Sequence, residues 1–264
     1  MKYFTAKSLA ALCIAAVLFI ICFNLAVGTT DNTAGSTTAY NLSSWLAKHG
    51  VTIDRELIDT DDVYAVDASM KNAYSDRALA VEAMLKNASS SGADTYTGEN
   101  GAVSFSHDSF VLTPAHGLFE DIFSGLDRYN CGRRAEDAAN ELGFDLNGSV
   151  ISSEETDGGF KAVITKTIDS APVFNDCITL TMSRDGLISA EGVWFVPEEL
   201  GEKRRARPAA DALGDLLNRV EGAGEITVRS MEFGYLMEQN GRSARLKPVW
   251  RFELDGRDDV YTDA

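Results

Sequence analysis

The sequence predicts an α+β protein with one N-terminal transmembrane helix, followed by repeated units that each combine a helix with an antiparallel β-meander. Three observations carry this expectation. Ser8 to Val27 contains no charged side chain. Beyond it, stretches of helical period give way to runs that alternate with period two. Asp157-Gly158-Gly159 and Asp185-Gly186 punctuate those runs in the manner of hairpin turns. Helices and strands do not alternate one for one, so a doubly wound parallel sheet is not expected.

Residues 1–7 read as a cytoplasmic start and 8–27 as the span. About 20 apolar residues at a rise of 1.5 Å each cross the ~30 Å hydrocarbon layer. Lys2 and Lys7 precede the run and Asp31 follows it, so the expected placement is a single pass through the cell membrane, N-in and C-out, with the bulk of the chain extracytoplasmic. A cleaved signal peptide ending at Ala26-Val27-Gly28 is the competing reading, although its apolar core would be only ~7–15 residues long. Ala10, Ala11, Ala15 and Ala16 give the span a surface of small residues. Ala11 and Ala15 are the candidate contact points with another span; the plainer reading is that alanine is simply a good helix former.

Residues 28–39, rich in Thr, Ser, Asn and Gly, read as a tether. The first folded unit is expected over 40–125. Leu42, Trp45 and Leu46 recur at helical spacing from Asn41 to a Gly50 stop, with Trp45 as a core anchor. Val51-Thr52-Ile53 follows as a strand, Asp76 caps a second helix through Val81 and Leu85, and strands lie around Val103 to Phe105 and Phe110 to Leu112. The second unit, 126–200, has a helix from Glu136 to Leu142 and strands at Val150 to Glu155, Phe160 to Ile168, Cys177 to Ser183 and Leu187 to Val196. In the third, 201–264, Lys203-Arg204-Arg205 leads to Pro208 and a helix to Val220, whose face is Ala210, Leu213, Leu216, Leu217 and Val220. Strands at Ile226 to Met237, Ala244 to Leu254 and Val260 to Tyr261 close the chain. The last two units share Pro-Val-aromatic followed by Asp-Gly, and their helices start near Arg134 and Arg207. That spacing exceeds the ~20–50 residues of solenoid repeats and points to duplicated small domains.

The chain carries 40 acidic against 24 basic residues, a formal charge of -16, and every acid lies after Thr30. Such a surface argues against nucleic acid or anionic lipid as a partner. It attracts cations or a basic protein surface, or does no more than keep the chain soluble. Outside the span only Cys131 and Cys177 remain, a candidate disulfide in an oxidising exterior or else two unpaired buried thiols. The three histidines, His49, His107 and His116, form no recognised motif. His107-Asp108, and His116 with Glu120 and Asp121, match no zinc spacing. No Gly-x-Ser-x-Gly elbow or glycine-rich phosphate loop occurs, so no catalytic, metal or cofactor-binding residue is assigned and no enzyme is expected.

Leu246-Lys247-Pro248-Val249-Trp250-Arg251-Phe252, followed by Asp255-Gly256 and Tyr261, resembles the terminal signature of PepSY-like domains. Phe23-Asn24-Leu25, Lys48-His49-Gly50-Val51, Pro172-Val173-Phe174 and Gly192-Val193-Trp194 make the chain similar to the YycI/YycH family of regulatory proteins of Gram-positive bacteria. The resemblance implies a non-enzymatic regulator of a two-component sensor histidine kinase governing cell-wall metabolism. It acts through transmembrane and extracytoplasmic contacts, with a YycH-like sister protein as a further partner. The family has no catalytic motif to carry over, and this chain departs from it in its Ala-rich span and strong acidity. The alternatives are a PepSY-type inhibitor or guide of an exported peptidase and, lacking any assignable residue, a cell-envelope hydrolase.

Overall fold

The computed structural model describes residues 37–220, 224–240 and 243–264. A helix at 37–47, α1, comes first. After it come β1 (Val51–Ile53), a short 3-10 turn (Arg55–Leu57), β2 (Tyr64–Asn72) and α2 (Arg77–Leu85). Four strands follow as β3 (Ser89–Gly92), β4 (Thr95–Gly98), β5 (Gly101–Ser106) and β6 (Ser109–Pro114), then α3 (Glu120–Phe123) and α4 (Cys131–Glu141). The central strands are β7 (Ser149–Thr156), β8 (Gly159–Ile168), β9 (Ala171–Ser183), β10 (Gly186–Val193) and β11 (Phe195–Arg205). The chain finishes with α5 (Ala209–Val220), β12 (Ile226–Asn240), β13 (Ser243–Leu254) and β14 (Val260–Asp263). These elements divide into two compact units, each assembled from separate stretches of chain.

The first unit holds the described residues up to Asp62 with Arg207–Met231 and Phe252–Val260. Here β1 runs parallel to the start of β12, with Val51 opposite Ile226 and Ile53 opposite Val228. Helix α5 begins right after Pro208, whose fixed φ and missing N–H suit a first turn. It buries Ala209, Ala212, Leu213, Leu216 and Val220. In α1 the buried stripe is Ala39 and Leu46, seven residues apart. Trp45 is therefore not the core anchor expected: one step from Leu46 around the helix, it is 41 % exposed and packs against His49 at a ring separation of 5.0 Å.

The second unit comprises Val63–Ala206, Glu232–Arg251 and Tyr261–Ala264. One set of its strands pairs antiparallel throughout, in the order β7-β8-β9-β10-β6-β5-β4-β3. Its inner face is the core, including Val103, Phe110, Leu112, Ile164, Ile178, Leu180 and Met182, on which α2 and α4 set Met84, Leu85, Ala135 and Ala139. The other set runs β11-β2-β13-β12 and reaches β9 through a parallel pairing of Tyr235 with Val173. A smaller core of Val66, Met70, Val173, Phe195, Tyr235 and Leu246 belongs to it. Strand β9 thus serves both sets.

The expected fold class is overturned. Among the described residues there are fourteen strands in mixed pairing, and the helices are minor elements laid on them. Strands that the sequence places in separate meanders pair with one another, β6 with β10 and β12 with β9, and β2, which no sequence signal marked, pairs with both β11 and β13. An isolated short meander leaves unpaired edges, and shared pairing removes them. Strand β11 was not foreseen, because ten of its eleven residues lie off the core and nine are exposed; its order comes from the ladder with β2. The expected localisation is corrected as well. Among the described residues no helix is long and apolar enough to cross a membrane, so a single-pass, N-in and C-out arrangement has no support in the structure. The 8–27 segment, with Ala11 and Ala15, lies outside the described residues.

Where strands of the second unit part, side chains complete the backbone pairing. The Tyr235 hydroxyl accepts from the buried Val66 N–H at 2.8 Å, and the Asn175 amide both donates to Met237 O at 2.9 Å and accepts from Met237 N at 2.7 Å. Gly192 lets β10 approach β9, since a Cβ there would sit 2.2 Å from the Cys177 carbonyl oxygen. Tyr235→Phe keeps the packing but leaves the Val66 N–H unpaired, and it is expected to lower the unfolding free energy by about 1–3 kcal/mol in urea titration. An unchanged midpoint would show that the hydroxyl is not needed there.

Candidate functional site

Strand β9 turns Ile178, Leu180 and Met182 inward, and continuing that alternation toward the N-terminus puts Asp176 on the same face. The carboxyl is fully buried. One oxygen, Oδ1, accepts from the Phe195 N–H at 2.9 Å; the other, Oδ2, has no hydrogen-bond partner among the described residues. Burial pushes its pKa from 3.8 up to about 7, against the opposing pull of the Phe195 N–H and the Lys166 charge.

The groups around it come from several elements. Lys166, on β8, is 3 % exposed. Its ammonium donates to Asn147 O at 2.5 Å and lies 5.2 Å from the centre of the Trp194 ring. Burial lowers its pKa, while the charges of Asp145 and Asp176 work to raise it. Tyr74 is placed by the end of β2, where Asn72 Oδ1 accepts from the Tyr74 N–H at 2.7 Å. Its hydroxyl is unpartnered, and burial, with the Asp176 charge second, holds its pKa well above the ordinary value. Trp194 is the single residue between β10 and β11. It is buried, and its indole N–H also lacks a partner among the described residues.

A pocket of about 420 Å3 opens beside this cluster, walled by Tyr74, Phe144 and Trp194 with Leu79, Ala83 and Asp145 around them. Phe144 is delivered by the end of α4, where Gly143 takes φ +84 and so turns the chain as a helix stop requires. The Phe144 ring stands edge-on to Tyr74 and to Trp194, each at 6.3 Å. Aromatic walls with a few hydrogen-bonding groups suit recognition of a largely apolar occupant.

The residues singled out from the sequence lie elsewhere. Cys131 begins α4, its thiol facing Ser153 Oγ at 3.0 Å. Cys177 sits next to Asp176 on the opposite side of β9, with burial and the Asp176 charge raising its thiol pKa. Both thiols are free in the structure. His107 occupies the β5–β6 turn and His116 follows β6; among the described residues no group of three or more His, Cys, Asp or Glu could hold a metal ion. Sequence reasoning missed Asp176, Lys166 and Tyr74. The available signal was Asp176 itself, an acid in register with Ile178, Leu180 and Met182.

No family model matches the chain, and no curated protein does. Solved structures similar to it include an uncharacterised protein from Eubacterium rectale, with TM-score 0.53 and 13 % identity over 81 % of this chain and 86 % of that one. That likeness is one of fold alone. YycH from Bacillus subtilis has TM-score 0.48 and 11 % identity, over 77 % of this chain and 53 % of YycH, so the chain spans about half its length. The C-terminal domain of YpeB from Bacillus megaterium has TM-score 0.37 and 11 % identity, over 74 % of this chain and 94 % of that domain.

The buried carboxyl makes stability depend on pH. Its pKa is raised on folding, so between 3.8 and about 7 the native chain holds a proton that the unfolded chain has released. Stability from this group is full below that window and falls as pH rises through it, by at most roughly 1.4 kcal/mol per pH unit. Asp176→Asn keeps an acceptor for the Phe195 N–H and removes the titration. The variant's stability relative to the wild type is therefore expected to rise from pH 4 to pH 7 and then level, measured by denaturant unfolding at each pH; a difference constant with pH would refute it.

Proposed function

We propose that the protein is a non-catalytic regulator that works by binding another protein, and that the protein it regulates is a sensor histidine kinase. The observation that carries the reading is the pocket of the second unit, with three aromatic walls and the 70 % exposed Leu79 among its lining residues. Walls so arranged select an occupant by shape and apolar contact. The choice of a kinase comes from the resemblance of the sequence to the YycI/YycH family. Two of the phrases that carry it, Pro172-Val173-Phe174 in β9 and Gly192-Val193-Trp194 at the end of β10, lie in that same unit. A YycH-like sister protein is the second partner this reading admits.

The mechanism is an equilibrium bias. A regulator that binds one kinase state more tightly shifts the kinase by that difference in affinity, and about 1.4 kcal/mol of preference is a tenfold shift. The full chain, titrated onto the sensor kinases of its host reconstituted in nanodiscs, is expected to change the autophosphorylation rate of one of them saturably. No response from any host kinase at high concentration would overturn the reading. So would turnover of a peptide or cell-wall substrate that Asp176→Asn abolishes.

A further inference from the structure

We propose that Lys166 is a two-position lever: while Asp176 is protonated it ties down the connection between α4 and β7 through Asn147 O, and when Asp176 ionises it swings to that carboxylate and releases the connection. The inference goes beyond the regulatory reading and does not depend on what the protein binds. Its geometric basis is a break in a ladder. Strands β8 and β9 pair at Thr165 with Cys177 and again only at Thr167 with Pro172. Lys166 and Asp176 are the residues next to the first of these pairs, both buried on the core face, which puts the two side chains within reach of a lysine arm. Yet they are not joined. The Lys166 ammonium donates to Asn147 O at 2.5 Å, and Asp176 Oδ2 has no partner among the described residues. A donor held by one carbonyl, and an acceptor in the same core without a donor, make a second arrangement available.

The charge on Asp176 chooses between the two. Protonated, the carboxyl offers the ammonium only a dipole, and the Asn147 carbonyl with the Trp194 ring, 5.2 Å away, holds it. Ionised, it is a buried charge whose lost hydration is replaced only by the Phe195 N–H, and a nearby ammonium supplies the rest. The other charged groups of the cluster do not reverse this. Asp145, on the connection, also attracts Lys166, but it is exposed, and water weakens its pull relative to that of a buried carboxylate. Tyr74, from the end of β2, is held protonated by burial and the Asp176 charge, with Arg77 of α2 opposing. Burial and the Asp176 charge likewise keep the Cys177 thiol, on the other side of β9, neutral. Asp176 titrates at about 7, and the arrival of the lysine favours its charged form, so the coupled transition centres at or below that value. What the lever moves is the connection, 142–148. It is held by the Lys166 bond and by Gly148 O, which accepts from the Thr167 N–H at 2.7 Å. It carries Phe144 and Asp145, which line the pocket, so that wall loosens as pH rises through the transition.

The test follows the full chain, labelled with carbon-13 and nitrogen-15, by NMR from about pH 5 to about pH 8.5. The Asp176 carboxyl carbon reports ionisation and the Asn147 carbonyl carbon reports the Lys166 bond. Protection of the Thr167 amide, corrected for intrinsic exchange, reports the hold on the connection. The Ile164 amide, inside the ladders of β8 with β7 and β9, is the reference for an intact sheet. The first three are expected to change together around one midpoint at or below about 7, with Thr167 protection falling at least about tenfold on the alkaline side while Ile164 stays protected. Asp176→Asn cannot ionise and keeps an acceptor for the Phe195 N–H, so its Asn147 carbonyl is expected to stay at the acid-side shift and its Thr167 protection to stay high throughout. Lys166→Met makes neither contact and is expected to show low Thr167 protection at every pH. An Asn147 carbonyl that stays still while the Asp176 carboxyl titrates would overturn the proposal. So would a pH-dependent movement that persists in Asp176→Asn, or Thr167 protection in Lys166→Met equal to that of the wild type at acid pH.

Discussion

The second unit depends on one constraint: buried backbone groups must find partners where strands separate. Strand β9 pairs with β8 and β10 along most of its length but meets β12 through a single register position, Val173 with Tyr235. Just beyond that position two side chains take over from the ladder. Asn175 pairs with both main-chain groups of Met237, and Asp176 receives the N–H of Phe195 where the chain has left β10 and begins β11. The Tyr235 hydroxyl does the same for Val66. Each of these contacts supplies a bond that an interrupted ladder would otherwise leave unmade.

Placing a carboxyl at that junction has an electrostatic consequence. A buried carboxylate loses its hydration, so the neutral form is favoured until the surroundings replace what water gave. Here the replacement is partial: one N–H and the charge of Lys166 act on Asp176, and Oδ2 is left without a partner. Lys166 faces the same difficulty with the opposite sign, and its bond to Asn147 O together with the Trp194 ring serves in place of water. The two groups sit where β8, β9 and the β10–β11 crossover meet. A change in the charge of either therefore acts directly on the contacts that hold this unit together.

The aromatic cluster ties the junction to the pocket. Tyr74 meets Phe105, Phe110 and Phe144, and Phe144 meets Trp194. Rings packed at such angles keep one another's positions, since moving one opens space beside the next. The Trp194 carbonyl also accepts from the Ala73 N–H at 3.0 Å. The backbone that sets the pocket wall is thus the backbone that carries the chain from one strand set to the other.

By itself the sequence determined the local elements. Alternation from Phe160 to Ile168, the Asp185-Gly186 turn, the Asp76 cap and the apolar face of α5 each depend on residues a few positions apart, and they appear in the structure as β8, the β9–β10 turn, α2 and α5. The same local signals misplaced Trp45, because adjacent residues on a helix face different ways and only packing selects the buried one. They also failed to foresee β11, whose exposed residues carry no pattern of their own. Strand pairing was invisible for a more general reason: backbone hydrogen bonds between distant segments have no residue signature, and one alternation fits any partner strand. The candidate site inherits that limit. Asp176 stood in register on its strand, but Lys166, Tyr74 and Trp194 reach it from β8, from beyond β2 and from the crossover, and only the tertiary structure, by closing those ladders, brought them together.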